Sequence, residues 1–261
     1  MNVLFWIAVK SENSVISQKH GNFEYFEYSK RTWQYWCERN GVLFYEYDHT
    51  EYDTTEHKVT WTRWFDVFDQ LDTAGIDYEK IAVIDASTMI RWDTPNFFEL
   101  TNNELTAFQS LENVRWIMEG VDAYSELFNS FDFDYKKYVS CGFQIFTKQH
   151  RIFLEKLRQF YLDNYEKIRI LESTVKRGTD QPIYNYMLQI ENIDVNRDLP
   201  KSYWLMHLNR FGWLGSNWQL AEDLTPYFIK YGYIWVYSGF DRKLREKLMS
   251  HTWDIIKEHY E

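Results

Sequence analysis

Hydrophobic residues fall along the chain in short continuous runs that alternate with segments of helical periodicity. The run at residues 3–9 predicts a strand covered on both faces, and the runs at 42–48 and 81–84 predict two more. Between these runs, residues 29–40 and 58–75 repeat their apolar positions at helical spacing. Strand, helix and strand in this order predict parallel βαβ units.

The pattern changes after Pro95. Residues 92–108 are typical of a turn followed by a short helix, and "NVRWIM" at 113–118 predicts a strand. A further strand is predicted at 138–148, "YVSCGFQIFTK", which contains a glycine.

Three helices are predicted in the rest of the chain. A long one runs from about residue 150 to 171, and the segment "TDQPIYNYMLQI" forms another. Pro182 suits the first turn of that second helix, and Thr179 or Asp180 can cap it. The last twenty residues or so form an amphipathic terminal helix.

Composition supports an ordinary globular chain. Of the 261 residues, 45% are hydrophobic and 26% are charged, and no linker-like stretch, repeat or low-complexity tract interrupts them. We therefore expect an α/β fold with a mostly parallel central sheet flanked by helices. We expect it to form a single domain over residues 1–261.

Charge and cysteine usage narrow the functional classes. The formal net charge is −10 and the basic residues are scattered, which argues against general nucleic-acid binding. The two cysteines, Cys37 and Cys141, have no metal-ligand spacing and suit a reducing compartment. No run approaches the roughly 18 apolar residues that a membrane span needs. We expect a soluble, cytoplasmic protein without a membrane span.

Asp85 is the first candidate functional residue. It follows the buried run at 81–84, and ligands of open α/β sheets bind at the carboxyl ends of strands. Asp85 could also cap the backbone after the strand, which is a common use of aspartate. Ser87 stands two positions later, where a second acid would complete a D-x-D pair.

Several segments together resemble GT-A-fold glycosyltransferases, particularly the glycogenin and galactosyltransferase-like branch. The segments are "IDAS", "SCGFQIF" and "GTDQPIYN", which are similar to apolar-apolar-D-A-D, N-S-G-x-x-x-F and D-Q-x-x-x-N in that order. The similarity covers roughly residues 1 to 200. It implies a nucleotide-diphosphate-sugar donor at the carboxyl edge of a mixed sheet. The sugar would be transferred to a glycan, lipid or protein acceptor.

The resemblance also implies a divalent cation, with one departure. In that family the first aspartate usually contacts the donor's nucleoside or the metal, and the second holds a Mn²⁺ or Mg²⁺ that bridges the diphosphate. A dication neutralises the leaving charge and prefers carboxylate oxygens. Here Ser87 replaces the second acid. Val236 stands where the family often has a histidine ligand.

Three interpretations of the site follow from this departure. Cationic side chains such as Lys58, Arg63 or Lys243 could offset the leaving charge without a metal. Alternatively, Asp85 could bind a metal together with His207 or Asp93. In the third interpretation the chain binds sugar nucleotides or glycans without catalysis, because fold alone does not determine function.

The resemblance assigns further residues to the site. Asp180 and Gln181 would face the donor sugar or the acceptor, although Asp180 could equally cap the following helix. Gly142 would let the substrate approach the backbone. Lys58 and Arg63 lie on different faces of their predicted helix, so only one of them can reach a phosphate. His207 has apolar neighbours and could be a buried histidine as well as a ligand.

Two other enzyme classes fit less well. "DASTM" is superficially similar to the D-x-D-x-[TV] motif of haloacid-dehalogenase phosphatases, but it lacks the second acid and comes too late in the chain. No G-x-G-x-x-G follows any predicted strand, which argues against a Rossmann dehydrogenase.

Overall fold

A six-stranded sheet forms the centre of the molecule. The computed structural model describes residues 1–10, 23–110, 114–175, 177–199 and 221–261. The strands of the sheet are β1 (Asn2–Ile7), β2 (Leu43–Tyr47), β3 (Lys80–Asp85), β5 (Leu105–Gln109), β6 (Val139–Thr147) and β7 (Val195–Asn196), in the order β2-β1-β3-β6-β5-β7. Only β6 runs against the other five strands, so the described sheet is mostly parallel.

A second, two-stranded sheet lies beside the first. It pairs β4 (Thr88–Ile90) with β8 (Ile234–Val236) in antiparallel register. β4 follows β3 after only two residues, so this small sheet continues from the carboxyl edge of the main sheet.

Helices cover both faces of the main sheet. Those that the structure describes are α1 (Tyr25–Asn40), α2 (Val59–Thr73), α3 (Val114–Tyr124), α4 (Arg151–Asp163), α5 (Tyr165–Val175), α6 (Gln181–Ile190), α7 (Tyr227–Tyr231) and α8 (Arg242–Ile256). The expected α/β fold, with a mostly parallel sheet, flanking helices and an amphipathic C-terminal helix, is confirmed.

The core has two parts because side chains alternate between the faces of each strand. Phe5 and Val83 pack with α2, α4 and α6 on one face of the sheet. Trp6 and Ile84 pack with α1, α8 and the two-stranded sheet on the other face. Both faces of the central strands are therefore buried, which is why these strands appear in the sequence as unbroken apolar runs.

Three predicted elements differ in the structure. The segment predicted as a strand at 113–118 belongs to α3, where Ile117, Val121 and Tyr124 are buried at i, i+4 and i+7. A short apolar run fits a strand and a helix equally well, and here the helical period holds. Residues 105–109 form β5 instead of continuing a turn and short helix. The long helix predicted at 150–171 is divided at Asn164 into α4 and α5.

No helix within the described ranges is long and apolar enough to span a bilayer.

Stability should fall as the pH is lowered because of His150, a buried residue between β6 and α4. Its Nδ1 accepts a hydrogen bond from the Thr147 backbone N–H at 2.9 Å, and burial lowers the pKa of the imidazole. The unfolded chain therefore binds the proton at a higher pH than the folded chain does. Stability is complete above the unfolded pKa of about 6.5 and is lost as the pH falls toward the lower folded value.

We expect His150→Asn, which keeps an acceptor but cannot titrate, to reduce this pH dependence. Urea unfolding of both proteins at several pH values between neutral and mildly acidic conditions measures the effect. Parallel curves for the wild type and the variant would contradict the assignment to His150.

Candidate functional site

Asp85 lies at the carboxyl edge of the main sheet. It is the last residue of β3, it pairs with Ile7 at the end of β1, and the next residue, Ala86, donates its N–H to Ile7 O at 3.1 Å. The Asp85 side chain is 29% exposed, in contrast to the fully buried residues that precede it. The strand therefore presents one carboxylate at the edge where ligands of such sheets bind.

Arg63 reaches this carboxylate from the second turn of α2. Its Nη1 donates to Asp85 Oδ1, its Nη2 donates to Asp180 Oδ2 at 2.9 Å, and its Nε donates to Thr60 O at 3.1 Å. The side chain is only 4% exposed. One buried guanidinium thus joins two carboxylates that are far apart in the sequence.

Asp180 occupies the position before α6, as predicted, but its side chain does not cap the helix. Its Oδ2 also accepts the Trp64 indole N–H at 2.7 Å, and its Oδ1 accepts the Thr179 hydroxyl at 3.0 Å. The Arg63 guanidinium lies 4.4 Å from the centroid of the Trp64 ring. Residues of α2 therefore satisfy Asp180 in place of the first turn of its own helix.

The electrostatics of this cluster reflect burial and mutual charge. Burial alone would lower the pKa of Arg63, but Asp85 and Asp180 outweigh it and raise that pKa. Burial raises the pKa of Asp85, the Arg63 guanidinium opposes the rise, and the Asp180 charge adds to it. Two carboxylates share one guanidinium, so the cluster favours a further positive charge beside Asp85.

A buried hydroxyl, that of Tyr124, lies within the electrostatic reach of Asp180. Tyr124 ends α3, is fully buried, and its hydroxyl has no hydrogen-bond partner in the part of the chain that the structure describes. Burial raises its pKa, and the charges of Glu172 and Asp180 raise it further. A buried hydroxyl without a partner has lost its hydration without compensation, which is uncommon away from ligand sites.

Gln181 and Asn185 hold α6 against the backbone of β6. Gln181 Oε1 accepts the Cys141 N–H at 3.1 Å, and its Nε2 donates to the Tyr138 hydroxyl at 3.2 Å. Asn185 accepts the Val139 N–H at 2.7 Å and donates to Val139 O at 2.9 Å. In this structure the two amides of the "DQPIYN" segment are used to fix the start of β6.

Gly142 and Cys141 lie next to the carboxylate cluster. The paired register of β3 and β6 ends with Ile84 opposite Phe143, and the next position along both strands brings Gly142 beside Asp85. Cys141 is buried, which raises the pKa of its thiol, and the Asp180 charge raises it further. The predicted site residues Asp85, Arg63, Asp180 and Gly142 are thus brought to one place.

Ser87 and Val236, where the family resemblance expects metal ligands, are also neighbours. Thr88 pairs with Val236 in the two-stranded sheet, and the next residue, Tyr237, donates its N–H to Ser87 O at 2.7 Å. Ser87 is buried. The structure therefore places a hydroxyl group and a buried isopropyl group at these two positions.

Of the positions 85, 87 and 236, only Asp85 carries a carboxylate, and Mg²⁺ is usually held by one or two carboxylates together with substrate phosphates. Asp93 is held by the Arg91 guanidinium, with Arg91 Nε 2.5 Å from Asp93 Oδ1. His207 lies outside the described residues. Within the described ranges, no three His, Cys, Asp or Glu side chains come together as a metal site would require.

Lys58 is directed to a different partner. Its Nζ lies 2.7 Å from Glu172 Oε2, and the Trp61 indole N–H donates to Glu172 Oε1 at the same distance. Lys58 therefore ties the start of α2 to α5, while Arg63 carries the contact with Asp85. This agrees with the expectation that the two cations lie on different faces of the helix.

Two arginines, Arg242 and Arg245, lie at the start of α8. Arg245 donates to Tyr237 O, the Tyr25 hydroxyl and Phe240 O at 3.0 to 3.1 Å. Burial raises the pKa of Asp85, and the Arg245 charge opposes part of that rise. Arg242 lies with its guanidinium 4.2 Å from the centroid of the Phe23 ring. Burial raises the pKa of Tyr25, and the charges of Arg245, Arg242 and Asp85 all act on it. Tyr25 therefore lies within the electrostatic reach of both arginines and of Asp85, and Arg245 contacts it directly.

The sequence interpretation did not include Arg242 or Arg245. It named Lys243 from the same segment, and the structure leaves that lysine exposed. The available signal was helical spacing: Arg242 and Arg245 lie three positions apart and therefore share a face that Lys243 does not.

Three solved structures are similar to this chain. A glycosyltransferase involved in the glycosylation of the major capsid of PBCV-1 matches with a TM-score of 0.60 and 11% identity over 96% of this chain and 98% of that chain. The galactosyltransferase LgtC, in complex with donor and acceptor sugar analogs, matches with a TM-score of 0.48 and 13% identity over 97% and 99%. The apo form of the glycosyltransferase GlyE from Streptococcus pneumoniae TIGR4 matches with a TM-score of 0.48 and 11% identity. That match covers 99% of this chain and 62% of the GlyE chain.

No protein-family model matches the sequence, and no curated protein matches it. At 11% identity the first of these likenesses shows a shared fold, and that fold is the GT-A fold of glycosyltransferases.

Replacing Arg63 should destabilise the protein strongly. Arg63→Ala leaves two carboxylates without their shared cation, and removing one partner of a buried ion pair costs about 3–5 kcal/mol. Arg63→Lys should cost less, because it keeps the charge but not the forked geometry. Urea unfolding at neutral pH measures both.

Arg115→Ala is the matched control, since Arg115 pairs with Glu119 on the surface and is 89% exposed. Its expected cost is about 0–1 kcal/mol. Equal losses for Arg63→Ala and Arg115→Ala would show that the cluster does not support the fold.

Proposed function

We propose that this protein is a glycosyltransferase that moves a sugar from a nucleotide-diphosphate donor to a hydroxyl of a glycan, lipid or protein acceptor. The GT-A fold and the polar cluster at the carboxyl edge of the sheet support this proposal. Asp85 is the proposed donor contact, because its carboxylate is the most exposed member of the cluster.

The observation that carries the proposal is the positive charge of Arg242 and Arg245 at the start of α8, which makes no ion pair with a carboxylate among the described residues. Arg242 Nη1 is buried and has no hydrogen-bond partner in the described ranges. Arg245 is held by two carbonyl groups and one phenol, all of which are neutral. Among the described residues, neither guanidinium is paired with a carboxylate. A bound diphosphate would supply the missing negative charge.

Such arginines suit the chemistry of the reaction. When the bond between the anomeric carbon and the diphosphate breaks, negative charge develops on the leaving oxygens while the acceptor oxygen forms the new bond. Guanidinium groups bind phosphate oxygens through two parallel hydrogen bonds and stabilise that charge when they are already in place. We therefore propose Arg242 and Arg245 as the diphosphate clamp, in place of the predicted Lys58 and Lys243.

Asp180, Gln181 and Arg63 have a positioning role in this proposal. Arg63 fixes the direction of the Asp85 carboxylate, and Asp180 fixes Arg63 in turn. Gln181 fixes β6 close to Gly142. Holding reacting groups in a productive geometry is itself a large part of catalysis. The catalytic assignment of Asp180 and Gln181 stays a prediction.

A second candidate function is binding of a sugar nucleotide or glycan without turnover. It is favoured by the ion pairs of Asp85 and Asp180 with Arg63, since neither carboxylate is free to act as a base. Both functions predict donor binding, and only the first predicts transfer or hydrolysis of the donor.

We expect one class of nucleotide sugar to raise the melting temperature, with and without chelator. The screen uses UDP-, GDP-, ADP- and CDP-sugars with Mn²⁺ or with EDTA, because ligand binding to the folded state stabilises it. A donor-hydrolysis assay on each stabilising compound then separates the two functions. Absence of stabilisation by all four classes would contradict both of them.

Arg242→Ala should weaken donor binding by about tenfold or more, because a hydrogen bond to a charged group contributes about 1.5–3 kcal/mol. Isothermal titration with the stabilising donor measures the loss. Lys243→Ala is the control, since it removes a neighbouring exposed charge from the same helix. Equal effects of the two variants would indicate general electrostatic attraction and not a clamp.

A further inference from the structure

A cleft lies along the outer edge of the main sheet, apart from the Asp85 site. Its volume is about 530 Å³, within the range of small-molecule sites, and it is open to solvent. The side chains that matter for its chemistry are those of Tyr45, Tyr52, Asp66, Asp69, Gln70 and Arg158. They come from β2, the following loop, α2 and α4.

This cleft is separate from the Asp85 site. β1 lies between β2 and β3, so two strand spacings, or about 10 Å, separate the edge strand from the strand that carries Asp85. On α2 the cleft is lined by Asp66, Asp69, Gln70 and Thr73, which share one face at helical spacing. None of the residues that line the cleft belongs to the Arg63 cluster.

One wall of the cleft is organised by a buried carboxylate. Asp66 Oδ2 accepts the Tyr47 hydroxyl at 2.5 Å and the Thr50 hydroxyl at 2.6 Å. Thr50 Oγ1 in turn accepts the Tyr52 N–H at 3.2 Å. The Tyr52 ring packs on Phe65 with centroids 5.5 Å apart. The loop after β2 is therefore held in place by side chains before any ligand binds.

Neutral hydrogen-bonding groups line the cleft beside aromatic rings. The Tyr45 hydroxyl donates to Gln70 Oε1 at 3.1 Å, which leaves the Gln70 amide N–H groups available to a ligand. The Tyr52 hydroxyl is buried and makes no hydrogen bond of acceptable geometry in the described ranges, and burial raises its pKa. Phenol rings beside fixed donors and acceptors match a molecule with both C–H faces and hydroxyl groups.

The charge of the lining argues against an anionic ligand. Three carboxylates line the cleft, on Glu51, Asp66 and Asp69, against the single guanidinium of Arg158. Arg158 lies 3.9 Å from Asp69 and 5.5 Å from the centroid of the Tyr52 ring. Phosphate groups would be repelled here, whereas the hydroxyl groups of a neutral sugar can donate to the carboxylates.

We propose that this cleft is a binding site for a neutral saccharide, distinct from the Asp85 site. Binding there does not depend on the proposed transferase activity. If that activity holds, the cleft suits a sugar unit of a glycan acceptor at a distance from the point of transfer.

Saturation-transfer NMR tests the proposal on the full chain. The probes are the methyl glycosides of glucose, galactose, mannose and N-acetylglucosamine and the disaccharides lactose, maltose and cellobiose, each at millimolar concentration. We expect signal transfer to at least one of them, with its affinity then measured by titration calorimetry. UDP and spermidine are tested as competitors.

Two variants change the cleft without removing its structural carboxylate. Tyr52→Phe deletes one hydroxyl and Gln70→Ala deletes one amide, and each should weaken saccharide binding by about two- to tenfold. Gln159→Ala is the matched control, because Gln159 is an exposed glutamine on α4 that bonds only to its helix neighbour Asp163 in the described chain. UDP, which is directed to the Asp85 site, should leave saccharide binding unchanged.

Four results would overturn the proposal. These are no binding of any saccharide, saccharide binding that Tyr52→Phe and Gln70→Ala leave intact, loss of saccharide binding on addition of UDP, and binding of spermidine alone. The third would place the sugar at the Asp85 site, and the fourth would assign the carboxylates to a cationic ligand. Failure of the donor screen alone leaves the saccharide result unaffected, so the two proposals fail separately.

Discussion

The pairing of Arg63 with Asp85 and Asp180 is the interaction on which the candidate site depends. It joins the second turn of α2, the end of β3 and the start of α6 through one guanidinium. Each of these groups would be costly to bury alone, because an unpaired charge in a poorly hydrated place loses its solvation. The three elements are therefore constrained to meet at the carboxyl edge of the sheet.

The same constraint passes to the antiparallel strand β6. Asp180 is fixed by Arg63, and the next residue, Gln181, bonds to the backbone of Cys141. Asn185, one turn further along α6, bonds to both backbone groups of Val139. The strand that runs against its neighbours is thereby positioned by side-chain amides as well as by its ladder. This arrangement places Gly142 next to Asp85.

Sequence patterns predicted the individual residues of this cluster better than their contacts. The apolar strand before Asp85 predicted that residue as part of the site, and the family resemblance predicted Arg63 and Asp180. The structure brings all three together. Their pairing could not be derived, since Arg63 and Asp180 are 117 positions apart and no local rule relates them. The strand predicted at residues 113–118 was wrong because a segment of six residues covers too few helical turns for its apolar period to distinguish a helix from a strand.

The positions that depart from the family pattern and the arginines beside Asp85 belong to one structural unit. The β4–β8 pairing sets Val236 opposite Thr88 and next to Ser87. Only a short turn, with Gly239 in the left-handed region at φ 79°, then separates β8 from α8, which begins at Arg242. The segment that carries Val236 therefore leads directly into the helix that carries Arg242 and Arg245. In the proposed function these arginines take the place of the metal, because a fixed cation and a bound metal stabilise leaving-group charge by the same electrostatic effect.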